Sequence, residues 1–482
     1  MRTALASILL LLAAAPAYPQ NSSTDESRLH RDFRVEKEAL GACTKFDFGS
    51  LTDCGQTLVM GQPMHITVGS LAPQNGIAAG LAFVEHKNFA NEWRVNWDID
   101  AQASSNGSWR AGGYMKAYRL PGGMTYRVAP LFNFYSQSIS LNRVDYYGLG
   151  PYSVPQNHTT YGFSENITGA DAAIPLAGAA RIAIVAELNG RFPSVRPGTD
   201  SSLPSIGQFF DETNTPGLAH QAAYLQASEG LRLSPALFKD HLRLNYLVQF
   251  HQFVAPGNST YSFRRFNGDF SHEIPLYSLL PGKFGKAYYP NRSAQFSHNG
   301  PDDCTGSSGG QNIARPRAAA ADARPNAARP CPIISTTDKL EGSITLRALF
   351  SESFANRGSF VPFYFSPTIG GSDINGTAML PSYPDYRFRG PDLLLFRGTI
   401  EHSIGKLPIG AIFSVDEEKI GLRRDDVSID HLRHSFSAGI TIRAGGLPAV
   451  YLLFGWGGNE GSHTTATISP TLLGGSSRPS LF

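Results

Sequence analysis

Long hydrophobic runs are almost absent from this sequence, and so is a large excess of charge of one sign. Beyond residue 17, no run approaches the ~18 uncharged apolar residues that a membrane-spanning helix requires. Charged residues make up 17% of the chain and the net charge is +2, whereas an average soluble domain has about 25% charged residues. No basic stripe with interleaved aromatic residues is present, which argues against nucleic-acid binding. A chain of this composition that enters a membrane must therefore cross it with strands.

The first 17 residues are the one exception to this lack of apolar runs. Arg2 provides a positive start, residues 4–15 are apolar, and Ala15-Pro16-Ala17 has the small residues of a cleavage site. This pattern predicts a secretory signal peptide over residues 1–17, and we exclude it from the fold.

Cysteine is scarce, with four in 482 residues. In an exported chain, four cysteines predict two disulfides formed in an oxidising compartment. Pairing between sequence neighbours, Cys43 with Cys54 and Cys304 with Cys331, is the simplest of the three possible arrangements. A zinc site is disfavoured because neither a CxxC motif nor a paired-histidine spacing accompanies these residues.

Motifs of enzyme chemistry are also missing. Residues 306–310 match the letters of G-x-S-x-G around Ser308, but no buried strand precedes them and no helix follows, as the nucleophile elbow requires. His431 and His434 are three residues apart, yet they fall in a loop running into a strand, where their rings diverge. We therefore expect no catalysis, cofactor or metal site. A hydrolase is one further hypothesis, and it would require lipid or peptide turnover that a single Ser→Ala change abolishes.

What the chain does have is strict alternation of apolar and polar residues, repeated many times. In residues 93–100, four apolar side chains share one face of a strand and four polar side chains share the other: Trp93, Val95, Trp97 and Ile99 against Arg94, Asn96, Asp98 and Asp100. A period of two predicts strands with one apolar and one polar face. Two architectures satisfy this pattern, a water-soluble β-sandwich and a transmembrane β-barrel.

Counting the alternating segments gives about sixteen strands, an even number of the kind that bacterial outer-membrane barrels use. The predicted strands are 77–86, 90–101, 108–119, 123–135, 138–148, 159–172, 179–190, 241–254, 260–272, 342–353, 359–367, 391–403, 409–417, 432–444, 448–457 and 462–472. Connections after even-numbered strands are short, and several after odd-numbered strands are long. This sorting favours an all-β, transmembrane antiparallel barrel over the sandwich.

The resulting domain organisation has three parts: the signal peptide 1–17, an N-terminal periplasmic segment 18–76, and a barrel over 77–482. The long connections 191–240, 273–341 and 368–392 are predicted to be extracellular loops. Within the second, residues 299–332 are rich in Gly, Ala, Arg and Pro, and we expect Cys304 and Cys331 to staple the base of a solvated tip.

Several local motifs of the barrel, roughly residues 80–482, resemble those of the bacterial surface-antigen superfamily, which includes the BamA, TamA and FhaC outer-membrane proteins. The segments that carry the resemblance are Tyr146-Tyr147-Gly148-Leu149-Gly150, residues 365–371, Tyr386-Arg387-Phe388-Arg389-Gly390 with the strand to Glu401, residues 412–416, and residues 437–443. The periplasmic POTRA repeats of that family would have no room in residues 21–75.

The resemblance also implies a lock between a loop and the lumen. In that family an Arg-Gly-aromatic loop tip folds back into the barrel, where its guanidinium binds an acidic group, and a bidentate contact of this kind holds a loop firmly. At the equivalent place this chain has residues 380–383, Leu-Pro-Ser-Tyr, without the arginine. We expect Arg387 or Arg389, with Gly390, to contact Asp416 instead, and Glu401 to hold the lumen-facing acidic position.

The function implied by the resemblance is insertion or translocation of proteins at the outer membrane of a Gram-negative bacterium. In that family, a weakly paired seam between the first and last strands opens to a client strand. The partners would be outer-membrane lipid and client proteins, with no cofactor and no nucleic acid. The alternative is a passive channel or a structural surface barrel.

Overall fold

The computed structural model describes residues 28–44, 58, 63–89, 93–119, 130–177, 182–238, 241–277, 340–405, 409–444, 447–468 and 479. One helix, α1 (Arg28–Leu40), precedes a series of antiparallel strands. The strands are β1 Met64–Gly69, β2 Ala78–Phe89, β3 Trp93–Ser104, β4 Trp109–Arg119, β5 Leu131–Tyr146, β6 Thr159–Ala177, β7 Ile182–Pro197, β8 Tyr224–Leu233, β9 Ala236–Leu237, β10 Leu242–Val254, β11 Phe263–Tyr277, β12 Leu340–Ala355, β13 Thr368–Ile369, β14 Phe388–Arg389, β15 Asp392–Ser403, β16 Ile409–Gly421, β17 Arg433–Ala444, β18 Leu447–Gly458 and β19 Gly461–Ile468.

Seventeen of these strands belong to one sheet, in which each strand pairs with the next one along the chain, except that β8 pairs with β10 rather than β9 and β12 pairs with β15. The short strands β8 and β9 share the same edge of β10, so the sheet has 17 − 1 = 16 strand positions. β13 and β14 form a separate two-stranded ribbon between β12 and β15. The expected all-β antiparallel barrel with about sixteen strands is therefore confirmed.

Side chains sort by face as the alternation predicts. Apolar side chains on the outer face are widely exposed, at 47% to 56% for Leu81, Ile99, Phe134, Leu188 and Leu346. Charged side chains on the inner face are at most 3% exposed, among them Asp98, Asp100, Glu165, Arg191 and Asp416. An exposed apolar belt is stable in lipid, and buried charges need partners inside the barrel. The barrel therefore presents its apolar face to a membrane.

The sheet curves around residues 356–391, here called the luminal loop, which connects β12 to β15. Its hydrogen-bond partners come from widely separated parts of the sheet: Pro73 and Gln74 after β1, Ser153 after β5, Arg265 in β11, Arg397 in β15, Ser435 in β17 and Glu460 after β18. A segment bound from so many sides lies inside the barrel rather than outside it.

Two predicted strands, 123–135 and 138–148, prove to be one strand, β5; residues 120–129 lie outside the described part of the chain. The polar run Ser136-Gln137-Ser138 suggested a turn. In the structure Gln137 points inward and accepts a hydrogen bond from Tyr114 Oη at 2.8 Å, while the Ser136 hydroxyl bonds Thr168 on the outer face at 2.9 Å. Partners on both faces keep the strand continuous.

Two longer strands, β1 and β8, were missed, as were the two-residue strands β9, β13 and β14. β1 lies within the N-terminal segment 18–76, so the predicted barrel start at residue 77 is one strand too late. β8 lies within the predicted loop 191–240, where Glu229 on the exposed face interrupts the apolar pattern. The predicted strand 359–367 was wrong, because Phe363–Phe365 forms a 3-10 turn buried in the luminal loop.

These corrections move one long connection to the other end of the barrel. We call the end with 70–77, 147–158, 198–223 and the luminal loop the loop end, and the opposite end the turn end. β11 is the tenth strand position, and Tyr277 and Leu340 pair at the turn end, alongside connection 404–408. The three connections predicted to be extracellular loops therefore do not share one end, because 278–339 begins and ends at the turn end, whereas 198–223 and the luminal loop lie at the loop end. The structure of 278–339, and hence the Cys304–Cys331 staple, lies outside the described residues.

Helix α1 contacts the start of the barrel through Glu36. The Glu36 Oε2 atom accepts a hydrogen bond from the Met64 backbone N–H at 3.3 Å, and burial raises the pKa of this carboxyl. Among the described helices, none is long and apolar enough to cross a membrane.

Candidate functional site: the luminal loop and its anchors

The wall of the lumen is built from ion pairs between neighbouring strands. Arg191 on β7 lies 3.0 Å from Glu165 on β6, with both side chains at most 1% exposed. Arg347 on β12 binds Asp269 on β11 through two nitrogens, at 2.8 and 2.9 Å. Pairing offsets part of the desolvation penalty that Arg191 and Glu165 would each pay alone, whereas the side chains of Arg347 and Asp269 are each 28% exposed.

The first half of the luminal loop is anchored by the aromatic turn Phe363-Tyr364-Phe365, whose side chains are at most 1% exposed. These rings pack among aromatic side chains of the wall, namely Tyr146, Tyr161, Phe163, Tyr224, Phe253 and Phe263. The ring pairs lie 5.0 to 6.2 Å apart in tilted or edge-on geometry, which is favourable for aromatic side chains.

Two arginines hold the backbone of this aromatic turn. Arg265 Nη2 donates to the Phe365 carbonyl at 2.6 Å, and Arg389 Nη1 donates to the Phe363 carbonyl at 3.0 Å. Both guanidinium groups also lie over aromatic rings, with Arg389 5.8 Å from the centroid of Tyr146. The turn is thus bound through its side chains and its backbone.

The second half of the loop is anchored at Asp416, and the partner is Arg397. Arg397 Nε lies 2.6 Å from Asp416 Oδ1, and its Nη2 lies 3.0 Å from Oδ2. The same Nη2 donates to the Ala378 carbonyl of the luminal loop at 2.6 Å. Glu418, fully buried, lies 3.5 Å from Arg397 and adds a second carboxylate. One guanidinium therefore ties two strands of the wall to the loop.

The predicted contact between Arg387 or Arg389 and Asp416 is wrong. Arg387 is 1% exposed and bonds Glu460 and Ser153 at the loop end, while Arg389 enters the aromatic cluster. The reason is the strand register. Arg397 on β15 lies directly opposite Asp416 on β16, so its guanidinium occupies the place beside the carboxylate.

The other two residues of the predicted lock are Glu401 and Gly390. Glu401 is 6% exposed and accepts a hydrogen bond from Thr441 Oγ1 at 3.1 Å. Gly390 lies against β16, where an added Cβ would approach Ile420 Cγ2 to 2.4 Å and the Gly421 carbonyl oxygen to 2.6 Å. A side chain at position 390 would therefore displace the end of the luminal loop from the wall.

Sequence reasoning missed Arg397, although a signal for it existed. The alternation of β15 places residues 397, 399 and 401 on one face, so a lumen-facing Glu401 implied a lumen-facing Arg397. The Arg265 anchor gave no such signal, because its partner is a backbone carbonyl a hundred residues away.

A large cavity adjoins the loop inside the barrel, with a volume of about 1450 Å³. It is lined by the luminal loop and by both basic and acidic wall residues, including Arg347, Asp269, Arg397 and Asp416. At the loop side, burial raises the pKa of Asp385, while a hydrogen bond from Gln74 opposes that shift.

Of the cysteines, Cys43 lies in a 3-10 turn, Gly41–Thr44, and the other three (Cys54, Cys304 and Cys331) lie outside the described residues, as does Ser308. Both predicted pairings therefore stay predictions. His431 has a positive φ of 56° and His434 lies in β17. Within the described ranges, no group of three or more His, Cys, Asp or Glu side chains is arranged to hold a metal ion.

Comparison with solved structures finds similarity to CdiB and BamA chains. CdiB from Acinetobacter baumannii has 8% identity and a TM-score of 0.44, with 84% of this chain and 58% of that chain covered. CdiB from Escherichia coli has 12% identity and a TM-score of 0.47, with 84% and 61% covered. BamA from Haemophilus ducreyi lacking POTRA domains 1-3 has 9% identity and a TM-score of 0.44, with 84% and 70% covered.

The chain thus spans about three fifths of the length of the two CdiB chains. No protein-family model and no curated protein matches the sequence.

Proposed function

We propose that this chain lies in the outer membrane of a Gram-negative bacterium and inserts or translocates client proteins there without catalysis or a cofactor. The proposal is supported by the lipid-facing apolar belt and by the seam between the first and last strands of the barrel. Its partners are outer-membrane lipid and unfolded client chains.

The seam is the observation that carries the proposal. β1 and β19 share no register pair among the described residues, whereas β2 and β3 pair continuously from Ala78 with Ser104 to Phe89 with Trp93. The described parts of these two strands are Met64–Gly69 and Gly461–Ile468. An unpaired strand edge offers backbone N–H and C=O groups to an incoming strand, which is how β-augmentation captures a peptide.

The experiment places a photo-crosslinking amino acid at the seam. Ile66 in β1 is 37% exposed on the outer face, and Ile184 in β7 is 41% exposed on the same face far from the seam. On irradiation in cells, we expect adducts with newly made outer-membrane or secreted proteins at position 66 and not at the matched position 184. Equal adducts at both positions, or none at position 66, would contradict the proposal.

The second candidate is a passive channel, and the 1450 Å³ cavity is the observation that favours it. Planar-bilayer conductance separates the two functions. A steady and large ion-selective current supports a channel, whereas low conductance together with loss of other outer-membrane proteins on depletion supports client assembly. The buried anchors of the luminal loop favour low conductance, because they hold a folded segment across the lumen.

A further inference from the structure

A short part of the luminal loop, Tyr383–Arg387, contacts the chain on the first side of the seam. Gln74 Nε2 donates to Asp385 Oδ2 at 2.6 Å, and Tyr386 Oη donates to the Pro73 carbonyl at 3.4 Å. Pro73 and Gln74 belong to the connection 70–77 between β1 and β2. The loop is thus bonded to the first hairpin of the barrel.

The same five residues contact the other side of the seam. Arg387 Nε lies 2.6 Å from Glu460 Oε2, and the Asn459 backbone N–H donates to Tyr383 Oη at 3.4 Å. Asn459 and Glu460 form the turn between β18 and β19, the last hairpin. The Arg387 side chain is 1% exposed and that of Glu460 21%, so this charge-assisted contact is sheltered from water.

Glycines of the last hairpin make room for the approach. A Cβ added to Gly455 would lie 2.4 Å from the Pro381 backbone, and one added to Gly458 would lie 2.6 Å from Ser382 Oγ and from a Tyr383 ring carbon. Any side chain at these positions would push the loop away. The sequence of β18 therefore fits the luminal loop specifically.

We propose that Tyr383–Arg387 is a clasp that joins the first and last hairpins across the seam at the loop end of the barrel. The clasp supplies contacts where β1 and β19 have no register pairs among the described residues, so releasing it lets the two edges move apart. The idea that the clasp regulates client entry rests on the proposed function. The link between the two hairpins can be measured without any client.

The test changes the hairpin residues and leaves the loop intact, because Arg387 also bonds Ser153 at 2.7 and 2.8 Å. The double variant Gln74→Ala/Glu460→Ala removes one partner on each side of the seam. Glu460→Gln keeps an acceptor for Arg387 and serves as the conservative variant. Arg243→Ala, which breaks the partly exposed pair with Glu273 on β10 and β11, is the matched control away from the seam.

The measurement is the distance between two spin labels in the full chain, reconstituted in phospholipid vesicles. Labels are introduced through non-canonical amino acids at Ile77, which is 74% exposed after β1, and at Ser462, which is exposed in β19. We expect a narrow distribution in the parent protein and in Arg243→Ala, a longer and broader one in the double variant, and a smaller change in Glu460→Gln. An unchanged distribution in the double variant would overturn the clasp.

Two further readouts keep the test decisive. If the double variant does not fold, Gln74→Ala alone carries the test, since Gln74 is exposed and its loss leaves no buried charge, and the labels must still move apart. If the labels separate while position 66 gives no client adducts, the clasp stands and the proposed function fails. If client adducts form while the labels do not move, the function stands and the clasp fails.

Discussion

Arg397 shows how one side chain can join three parts of the molecule. It bonds Asp416 with both ends of its guanidinium fork and reaches the Ala378 carbonyl of the luminal loop. Lysine has no such fork, so the two residues are not interchangeable here. The side chains of Asp416 and Glu418 are at most 1% exposed, and Asp416 accepts two hydrogen bonds from this cation.

Replacing Arg397 with Met should lower the free energy of unfolding by about 3–5 kcal/mol, because it leaves the buried Asp416 carboxylate without its ion-pair partner. Arg397→Lys should fall between Met and the parent. The measurement is urea unfolding of the protein folded into lipid vesicles. The matched control is Arg243→Met, whose partner Glu273 is 37% exposed, and we expect it to cost less than about 1 kcal/mol. Similar losses for the two Met variants would refute the assignment.

Gly390 is the second residue whose identity the packing requires. Gly390→Ala would place Cβ 2.4 Å from Ile420 Cγ2 and 2.6 Å from the backbone oxygen of Gly421. We expect a loss of about 1–3 kcal/mol in unfolding free energy, as overpacking of a tight site costs. Gly376→Ala tests a glycine of the same loop that has open space around its Cβ position but a positive φ of 78°, so its cost comes from backbone conformation alone. A smaller effect at 390 than at 376 would count against the packing argument.

At the scale of elements, the aromatic turn Phe363–Phe365 explains why alternation alone can mislead. The turn is as rich in apolar side chains as a buried strand. However, Pro362 precedes it, and its rings pack against other aromatic side chains inside the lumen. Tertiary contacts of this kind are not visible in a local pattern. β1 and β8 were missed for different reasons. β1 has only six residues, and β8 carries Glu229 on its exposed face.

Phe363→Ala and Phe365→Ala should each release the first half of the luminal loop, because a fully buried ring contributes about 3–5 kcal/mol. The measurement is limited proteolysis of the folded barrel, with cleavage expected within 356–391 and the strands left intact. Phe360→Ala is the matched control, since Phe360 is in the same loop and 51% exposed. Resistance of the Phe363 and Phe365 variants equal to that of the control would show that the turn is no anchor.

For the barrel as a whole, the sequence predicted strands with one apolar and one polar face, and it predicted their approximate number. This was possible because the environment of the two faces of each strand appears in the sequence as an alternation with a period of two. It could not show at which end of the barrel every connection lies. A single missed strand reverses the end assigned to all later connections, until a second error reverses it again. The seam and the clasp were also beyond reach, because they depend on contacts such as Gln74 with Asp385, which are 311 residues apart.

The central claim is that these strands close around a polar, loop-filled lumen with their apolar face in lipid. Gel mobility of the detergent-extracted protein, with and without boiling, tests it most directly. A closed barrel held by interstrand hydrogen bonds should resist the detergent unheated and migrate differently after boiling. Identical mobility in both lanes, together with solubility of the protein in buffer without detergent, would contradict the account.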